Sequence, residues 1–385
     1  MASISGNHDA LLVRVDWNVP ISEGKVLDDS RIVETIPTLR QLLQHTKRLV
    51  VLTHLGRPKG KIDPEYSLTK LLPCIKKLLP FVNIRCAADL EDIKSSDEGV
   101  ILLENIRFWS GEEENSKEFA KTLASLGSAY VNDAFSVSHR AHASVDAITD
   151  FLPSYAGLLL EKELKDLREF SQLPQIPVVM IVGGAKVSTK LGLIQNFLDK
   201  VDTIVPVGGI ANTFLKAKGY EVGTSLIEPD LIESAAKIMA DSEKLRASVL
   251  LPEDVRVGKS LKDTSTVKSV TDIGVDEAIY DIGPKGFEAI KQVCENSKTI
   301  IWNGALGVFE QPGWDEGTLN LARVLAELTR NKGVKTLAGG GETVLALNIA
   351  NVLKDITYVS FSGGAFLEFM EGKKLPGIEA LERNG

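Results

Sequence analysis

Short apolar runs rich in valine, isoleucine and leucine recur along the whole chain, and a longer amphipathic stretch follows each of them. The runs scarcely alternate between apolar and polar residues, which is typical of strands buried on both faces of a parallel sheet. Alternating strands and helices predict an α/β fold with helices on both sheet faces. The predicted strands are residues 11–15, 49–53, 82–86, 100–103, 129–131, 178–182, 203–207, 249–251, 278–282, 299–302, 335–338 and 357–361, and the predicted helices include residues 28–44, 117–126, 189–200 and 230–240.

A dozen strands are too many for one compact sheet, so the chain is expected to form two Rossmann-like domains with parallel sheets. Residues 157–168 form a good amphipathic helical pattern with prolines on either side, and they predict a linking helix with hinges at its ends. The alternative, that this helix is one more crossover within a single sheet, stays open at this stage. The expected segments are residues 1–155, 156–170, 171–370 and a C-terminal tail of residues 371–385.

The charge and cysteine content exclude several classes of protein. The formal net charge is −8 and no basic arm is visible, so a nucleic-acid partner is not expected. The three cysteines show no CxxC spacing, which favours reduced thiols in a cytosolic protein. There is no visible signal peptide and no apolar run near the roughly 18 residues that a membrane span needs. A cytoplasmic protein without a membrane partner is therefore expected.

Cationic side chains follow the predicted strands of the first domain. Ligands of parallel α/β sheets bind beyond the carboxyl ends of the strands, and the planar fork of arginine suits phosphate or carboxylate. The arginines concerned are Arg31, Arg57, Arg107 and Arg140, and His54, His139 and His142 accompany them. They predict a small polyanionic ligand, although each arginine on its own is more simply explained by an acidic neighbour. A metal pair at His139 and His142 is a weaker alternative.

The strand ends of the second domain are instead rich in glycine. Such turns let backbone amides approach a phosphate, and Lys186 and Lys190 would lie on one face of a helix that begins there. The glycine-rich turns are residues 183–190, 302–310, 339–343 and 362–365. Together they favour a nucleotide. A Walker A loop is missing because Glu253 stands where its first glycine is required, and Val344 replaces the last glycine of a dinucleotide fingerprint.

Read in order, these motifs resemble those of the phosphoglycerate kinase family over nearly the whole chain. The motifs are Arg-Val-Asp-Trp-Asn-Val-Pro at 14–20, His-Leu-Gly-Arg-Pro at 54–58, Leu-Leu-Glu-Asn-Ile-Arg-Phe at 102–108, Asp-Ala-Phe-Ser-Val-Ser-His-Arg-Ala-His-Ala-Ser at 133–144, Gly-Gly-Ala-Lys-Val-Ser-Thr-Lys at 183–190, Gly-Gly-Ile-Ala-Asn-Thr-Phe at 208–214, Trp-Asn-Gly at 302–304 and Gly-Gly-Gly-Glu-Thr at 339–343. The resemblance implies reversible phosphoryl transfer between ATP and the carboxylate of 3-phosphoglycerate in glycolysis, by a monomer.

The resemblance also implies where the substrates bind. 3-Phosphoglycerate or 1,3-bisphosphoglycerate would bind the first domain, Mg-ATP or Mg-ADP the second, the two domains would close over the reaction, and the C-terminal tail would return to the first domain. Asp16 and Asn18 would contact the hydroxyl end of the glycerate, and Arg31 would stabilise the transferring group at the reacting carboxyl. The residues implied to hold the substrate phosphate are His54, Arg57, Arg107 and Arg140.

On the nucleotide side, Lys186 and Lys190 would bind phosphates, and Lys186 would also meet the moving phosphoryl group. The amides of Gly340 and Gly341 would support the phosphates and are implied to be catalytic together with Arg31 and Lys186. The remaining implied roles are the hydroxyl of Thr343 at the phosphates, Glu342 at Mg²⁺, Glu310 at the ribose and Gly209 under the base.

The nucleophile implied by the resemblance is the carboxylate of 3-phosphoglycerate. A carboxylate, with a pKa of about 4, is already ionised at neutral pH and needs no general base, so Asp16 is not expected to act as one.

The sequence departs from the family pattern in the nucleotide half. Glu342 stands where aspartate is usual, Val207 replaces a glycine, Ala305 replaces a proline, and Phe361 and Ser362 replace threonine and glycine. A degenerate member that binds ligands without catalysis is therefore an alternative. A hinged binding protein of the periplasmic type and an NAD-dependent dehydrogenase are further alternatives, but the export signal and the glycine fingerprint that they need are not visible.

Overall fold

The computed structural model describes residues 4, 6–80, 82–94, 99–172, 174–245 and 247–383. It divides into two compact units, Met1–Lys165 with Lys374–Gly385, and Asp166–Lys373. The predicted fold class, α/β with two Rossmann-like parallel sheets, is confirmed, because each unit contains a six-stranded sheet whose strand pairs are all parallel.

The first unit contains strands β1 to β8 and helices α1 to α5, and helix α6 begins in it. The strands are β1 Leu11–Arg14, β2 Ile21–Ser22, β3 Lys25–Val26, β4 Arg48–Leu52, β5 Ile84–Ala87, β6 Gly99–Leu103, β7 Ala129–Asn132 and β8 Ser154–Ala156. The helices are α1 Ser30–Leu42, α2 Leu72–Leu78, α3 Leu90–Lys94, α4 Ser110–Glu113, α5 Lys117–Ala124 and α6 Leu158–Gln172. Strands β2 and β3 form a separate hairpin, and the others form the sheet β5-β6-β4-β1-β7-β8.

The apolar runs form this sheet because both of its faces are covered. Leu11 and Val13 of β1 pack into the core on one face, whereas Leu12 between them packs into the core on the other. Leu11 lies opposite Leu49 of β4 and Ala129 of β7, so β1 has a paired strand on both sides. A strand buried on both faces is continuously apolar, which is why the sequence pattern found it.

The second unit contains strands β9 to β17 and helices α7 to α13. The strands are β9 Val178–Val182, β10 Thr203–Pro206, β11 Ser248–Val249, β12 Asp254–Gly258, β13 Thr266–Ser269, β14 Ala278–Ile282, β15 Thr299–Asn303, β16 Lys335–Gly339 and β17 Tyr358–Ser360. The helices are α7 Leu191–Phe197, α8 Gly208–Ala217, α9 Ile232–Ser242, α10 Pro284–Glu295, α11 Glu316–Lys332, α12 Gly341–Ile349 and α13 Gly363–Met370. The parallel sheet has the order β11-β10-β9-β15-β16-β17.

One predicted strand belongs to a different sheet. Strand β14 was expected among the parallel strands, but it pairs antiparallel with β12, which in turn pairs antiparallel with β13. Val255 and Val257 of β12 pack against Leu215 of α8, so this small sheet has a core of its own. The sequence pattern missed β12 and β13 because polar residues interrupt their short apolar runs.

The linking helix α6 covers Leu158–Gln172, whereas the helical pattern was predicted over residues 157–168 within the segment 156–170. Residues 154–156 precede it as strand β8, which pairs with β7. The first turn of α6 is capped by Asp133, whose Oδ1 accepts hydrogen bonds from the backbone N–H groups of Leu159 (2.9 Å) and Leu160 (3.1 Å). The division between the two units falls within α6. Among the described residues, no helix has the length and apolar character needed to cross a bilayer.

The C-terminal residues form helix α14, Pro376–Arg383, which belongs to the first unit. The Gly377 N–H donates to the carbonyl of Ser138 over 2.9 Å, and the Arg383 guanidinium lies 2.6 Å from Oδ1 of Asp146. Both contacts attach this helix to the loop that follows β7.

Candidate active site

The strand order of the first sheet reverses between β1 and β7, the kind of position where open parallel sheets bind ligands. Asp16 follows β1, and its carboxylate accepts hydrogen bonds from the Arg31 guanidinium and the Ser136 hydroxyl. Burial raises the pKa of Asp16, but His54, Arg31 and Ser136 together outweigh it and leave the pKa below its usual value. The indole N–H of Trp17 donates to Thr35 of α1 over 2.9 Å, which fixes the helix that carries Arg31.

A buried network lies behind Asp16. The Arg14 side chain is fully buried, and its Nε donates to the Ser144 hydroxyl (2.9 Å) while another guanidinium nitrogen lies 3.2 Å from Nδ1 of His54. Ser144 in turn donates from its hydroxyl (2.6 Å) and its backbone N–H (2.9 Å) to the carboxylate of Glu112. The sequence assignment missed Arg14, Glu112 and Ser144. An arginine inside an apolar strand was the available signal, since a buried charge needs a partner.

This network fixes the tautomer and the protonation state of His54. Because Nδ1 faces the Arg14 guanidinium, it serves as an acceptor and the proton is assigned to Nε2. Burial lowers the pKa of His54 well below its usual value, the neighbouring arginines lower it further, and Asp16 only partly opposes them. His54 is therefore a neutral imidazole with one N–H to offer.

The other predicted cations lie in the same region of the first unit. The buried Arg107 donates to the carbonyl of Gly56 over 2.8 Å and lies 3.4 Å from a Glu113 oxygen. Burial, followed by the charge of Arg14, lowers the pKa of Arg107 to about 10, so it remains charged at neutral pH. Burial also lowers the pKa of His142 to about 3, with Arg14, Arg107 and Arg140 as the next causes.

Arg57, Arg140 and Asn18 complete the predicted set. The Asn18 side-chain carbonyl accepts the Gly56 N–H over 2.9 Å, which joins the loops after β1 and β4 next to the exposed Arg57. The half-buried Arg140 lies 3.2 Å from Nε2 of His139. Arg31 and Arg107 each contact an acidic side chain, as expected if an arginine is explained by an acidic neighbour. Within the described ranges, no three His, Cys, Asp or Glu side chains converge as a metal site.

The strand order of the second sheet reverses between β9 and β15, and two cavities lie there. A cavity of about 460 Å³ has apolar walls that include Val207, Leu215 and Ile279, and Gly209 and Glu310 also line it. A second cavity, of about 530 Å³, shares Gly184, Ala185 and Glu342 with the first. Its lining also includes Lys186, Lys190, Gly340, Gly341 and Thr343.

The two lysines do not lie on one face of a helix, so that part of the prediction was wrong. Lys186 is extended (φ −133°, ψ 123°), a 3-10 turn covers Val187–Thr189, and α7 begins only after Lys190. The Lys190 ammonium donates to Oδ1 of Asn303, whose Nδ2 donates to the carbonyl of Gly339 over 2.6 Å. Burial lowers the pKa of Lys190, although Glu342 and Glu371 partly oppose it. Asn303 belongs to the Trp-Asn-Gly motif, but its role was not anticipated.

Close backbone approach explains the glycines of the second cavity. A Cβ on Gly304 would lie 2.1 Å from the Gly183 carbonyl oxygen, so neither turn has room for a side chain. Gly340 caps α12 with φ +93°, a value that favours glycine. The buried Thr343 hydroxyl accepts the Gly304 N–H over 2.8 Å and ties the two turns together.

Three of the departures from the family pattern fit this backbone. Val207 is extended (φ −137°, ψ 168°), which any residue can adopt, and its side chain is buried against the first cavity. Ser362 has φ −88°, and the left-handed conformation is that of Gly363 (φ +48°). The small Ala305 is buried and lines the first cavity. Neither Val207 nor Ser362 therefore needs a conformation reserved for glycine.

Asp281 makes the stability of the second unit depend on pH. Its side chain is 1% exposed, and its Oδ2 accepts the Gly317 N–H at the start of α11 over 2.9 Å. Burial raises its pKa to about 7, although hydrogen bonds and Arg256 oppose the shift and Glu316 adds to it. Between about pH 4 and pH 7 the native state therefore holds a proton that the unfolded state has lost. Stability falls as the pH rises across this window.

We expect Asp281→Asn to remove this dependence. The free energy of unfolding of the wild type, relative to that of the variant, should fall by up to about 1.4 kcal/mol per pH unit in this window. Urea unfolding at pH 5 and pH 8 measures the difference. Asp276→Asn is the control because Asp276 has a lowered pKa and does not titrate there. Parallel profiles for the wild type and Asp281→Asn would contradict the expectation.

The carboxyl ends of the two sheets thus carry different groups, arginines and histidines on one, and glycine turns with two lysines on the other. This combination defines a two-domain α/β phosphotransferase. The family model of phosphoglycerate kinase matches residues 1–373. The chain belongs to the phosphoglycerate kinase family.

Individual relatives agree with this assignment. Phosphoglycerate kinases of Caulobacter vibrioides and Bartonella tribocorum are each 46% identical, over 379 and 381 residues respectively, and cover 96% of this chain and 96% of their own. The structure of phosphoglycerate kinase from Coxiella burnetii matches with a TM-score of 0.91 at 39% identity, covering 100% of this chain and 98% of that one. The chain is therefore an ATP-dependent kinase of glycolysis that transfers a phosphoryl group reversibly between ATP and 3-phosphoglycerate.

Proposed function

We propose that the cationic cluster of the first unit binds 3-phosphoglycerate and that the two cavities of the second unit bind ATP or ADP. The observation that carries the proposal is the position of both sites, each at the carboxyl end of a parallel sheet where its strand order reverses. After domain closure, in-line transfer then moves the phosphoryl group between the two substrates, as the family resemblance implies.

On the substrate side, we assign the phosphate to His54, Arg57, Arg107 and Arg140. The neutral His54 donates from Nε2, and the arginines supply charge and bidentate hydrogen bonds. Asp16 and Asn18 orient the hydroxyl end of the glycerate. Arg31, whose side chain is about one-third exposed (35%), stabilises the charge of the transferring group.

On the nucleotide side, the apolar cavity takes the base over Gly209, and Glu310 accepts hydrogen bonds from the ribose. Lys186 and Lys190 bind the phosphates, and the amides of Gly340 and Gly341 at the start of α12 complete the phosphate bed. Because the Thr343 hydroxyl already accepts the Gly304 N–H, we assign Thr343 the support of this turn, with its remaining hydroxyl proton available to a phosphate.

The donor set fits a magnesium ion that arrives with the nucleotide. Oε2 of Glu342 lies 3.9 Å from the position that a Cβ on Gly184 would take, so the carboxylate overhangs the space that this glycine leaves open. A single carboxylate is a sufficient protein ligand when phosphates and water fill the other positions. Glu342 would hold the ion, which neutralises phosphate charge when it is bound.

We propose that the reaction needs no general base. The nucleophile is a carboxylate that is ionised at neutral pH. Asp16 is engaged by Arg31 and Ser136, and its lowered pKa makes it a poor proton acceptor. Catalysis then rests on positioning and on the cations that meet the transferring group.

The full chain, assayed with Mg-ATP and 3-phosphoglycerate in a coupled assay, is expected to turn over. The control is the double variant Arg31→Ala/Lys186→Ala, which removes the proposed cation from each substrate site. Wild-type turnover no higher than that of the double variant would reject catalysis and favour a member that only binds its ligands. Protection of the wild type against thermal unfolding by ADP, but not by NAD, tests the nucleotide class separately.

We further propose a cytoplasmic monomer that binds neither nucleic acid nor membranes. The net charge of −8 and the three free cysteines support this environment. The monomer rests on the family resemblance.

A further inference from the structure

A single 3-10 turn, Val187–Thr189, separates Lys186 from Lys190 in the second unit. The turn is exposed apart from Val187, and a 3-10 turn has weaker internal hydrogen bonds than an α-helix. Lys186 directly precedes the turn in an extended conformation, so the direction of its long side chain depends on where the turn is held.

Glu228 holds this turn from outside the glycine-rich motif. Its carboxylate accepts the Ser188 N–H over 2.8 Å and the Ser188 hydroxyl over 2.6 Å. Burial raises the pKa of Glu228, but hydrogen bonds from Ser188 and Val187 and the charge of Lys186 outweigh it and lower the pKa. Glu228 is therefore ionised, and its two contacts with Ser188 are charge-assisted hydrogen bonds.

Glu228 is itself fixed to the helix that begins beside the first cavity. Its backbone N–H donates to the Thr213 hydroxyl of α8 over 3.2 Å, and Gly209 lies in the first turn of that helix. The Val187–Thr189 turn is thus connected through Glu228 to α8, which lines the first cavity.

We propose that Glu228 is a positioning residue for phosphoryl transfer, which holds the Val187–Thr189 turn so that Lys186 points at the phosphates. The inference rests on the proposed function, in which Lys186 meets the transferring phosphoryl group. Glu228 touches neither substrate in this proposal and acts through Ser188. Because small displacements of a catalytic group are costly in rate, loss of this anchor lowers kcat while the 3-phosphoglycerate site stays intact.

Asp263 provides a matched control, a carboxylate that holds a turn outside the proposed site. Asp263 accepts the Ser260 N–H (2.7 Å) and the Ser260 hydroxyl (3.1 Å), the same pair of donors, in a loop that lines neither cavity. Asp263→Ala should leave kcat and both KM values within about twofold of the wild type. Glu228→Ala should lower kcat by about tenfold or more, with the KM for 3-phosphoglycerate unchanged.

Two further variants test the route through Ser188. Glu228→Gln should recover most of the lost kcat, because its amide oxygen accepts the Ser188 N–H and its NH₂ group donates to the Ser188 hydroxyl. Ser188→Ala should lower kcat by severalfold, and Glu228→Ala/Ser188→Ala should be no slower than Glu228→Ala alone. Ser188→Ala also provides the test if Glu228→Ala fails to fold.

Steady-state kinetics of these variants in the full chain, measured together with Lys186→Ala, tests whether Glu228 positions Lys186. If Lys186→Ala is slow and Glu228→Ala keeps the kcat of Asp263→Ala, the positioning role is wrong and the proposed function stands. If Lys186→Ala itself keeps wild-type kcat, the assigned role of Lys186 is wrong. Additive losses in the Glu228 and Ser188 double variant would also overturn the proposal.

Discussion

Replacing Arg31 with alanine is expected to lower kcat by about 10³-fold or more, the loss seen when an arginine that stabilises a transferring phosphoryl group is removed. Arg31 is suited to this role because Asp16 holds its guanidinium at the end of β1, while 35% of the side chain remains exposed to solvent. Its helix is fixed in turn by the hydrogen bond from Trp17 to Thr35.

The same helix supplies the control for Arg31. Arg40 lies in the last turn of α1 and is exposed, so Arg40→Ala removes an arginine from the same element without touching the site. Arg31→Lys should fall between the wild type and Arg31→Ala, because lysine keeps the charge and loses the planar fork. Steady-state kinetics should show the loss in kcat. A change confined to the KM for 3-phosphoglycerate would mean that Arg31 only binds substrate.

The sequence predicted the two parallel sheets well because their strands are buried on both faces. Val178–Val182 and Ala278–Ile282 were located to the residue, yet only the first belongs to a parallel sheet. Nothing in the apolar run of β14 specifies its partner. Antiparallel pairing with β12 depends on where the intervening loops bring the chain back, which a local pattern does not contain.

The positions of the candidate site residues could be predicted where a motif marks a strand end, but not where a contact joins distant parts of the chain. Asp16 and His54 come just after strands β1 and β4, and Lys190 contacts Asn303, the last residue of β15, as the topology rule expects. Glu112, by contrast, lies in a short helix and reaches the site through Ser144, which contacts Arg14 from 130 positions away. The prediction that Lys186 and Lys190 share one face of a helix was wrong, because a 3-10 turn, with three residues per turn, stands in place of the expected α-helix.

Replacing Glu112 with alanine is expected to lower the free energy of unfolding by about 3–5 kcal/mol, because it removes the buried carboxylate that is linked to Arg14 through Ser144 and leaves the buried Arg14 charge less compensated. The Glu112 and Arg14 side chains are both fully buried, and Ser144 joins them. Burial raises the pKa of Glu112, so the hydrogen bonds from Ser144 and the charge of Arg14 do not fully compensate its desolvation. Without the carboxylate, Arg14 would keep its charge in an apolar core without that partner.

Urea unfolding followed by far-ultraviolet circular dichroism measures this change, and Glu114→Ala is the control because Glu114 is exposed two positions away. Glu112→Gln should lose less stability than Glu112→Ala, since the amide oxygen still accepts a hydrogen bond from Ser144 and no cavity is left. An unfolding free energy of Glu112→Ala within about 1 kcal/mol of Glu114→Ala would contradict the prediction. Such a result would mean that His54 and the carbonyl of Val15, which also contact Arg14, satisfy its guanidinium without the carboxylate.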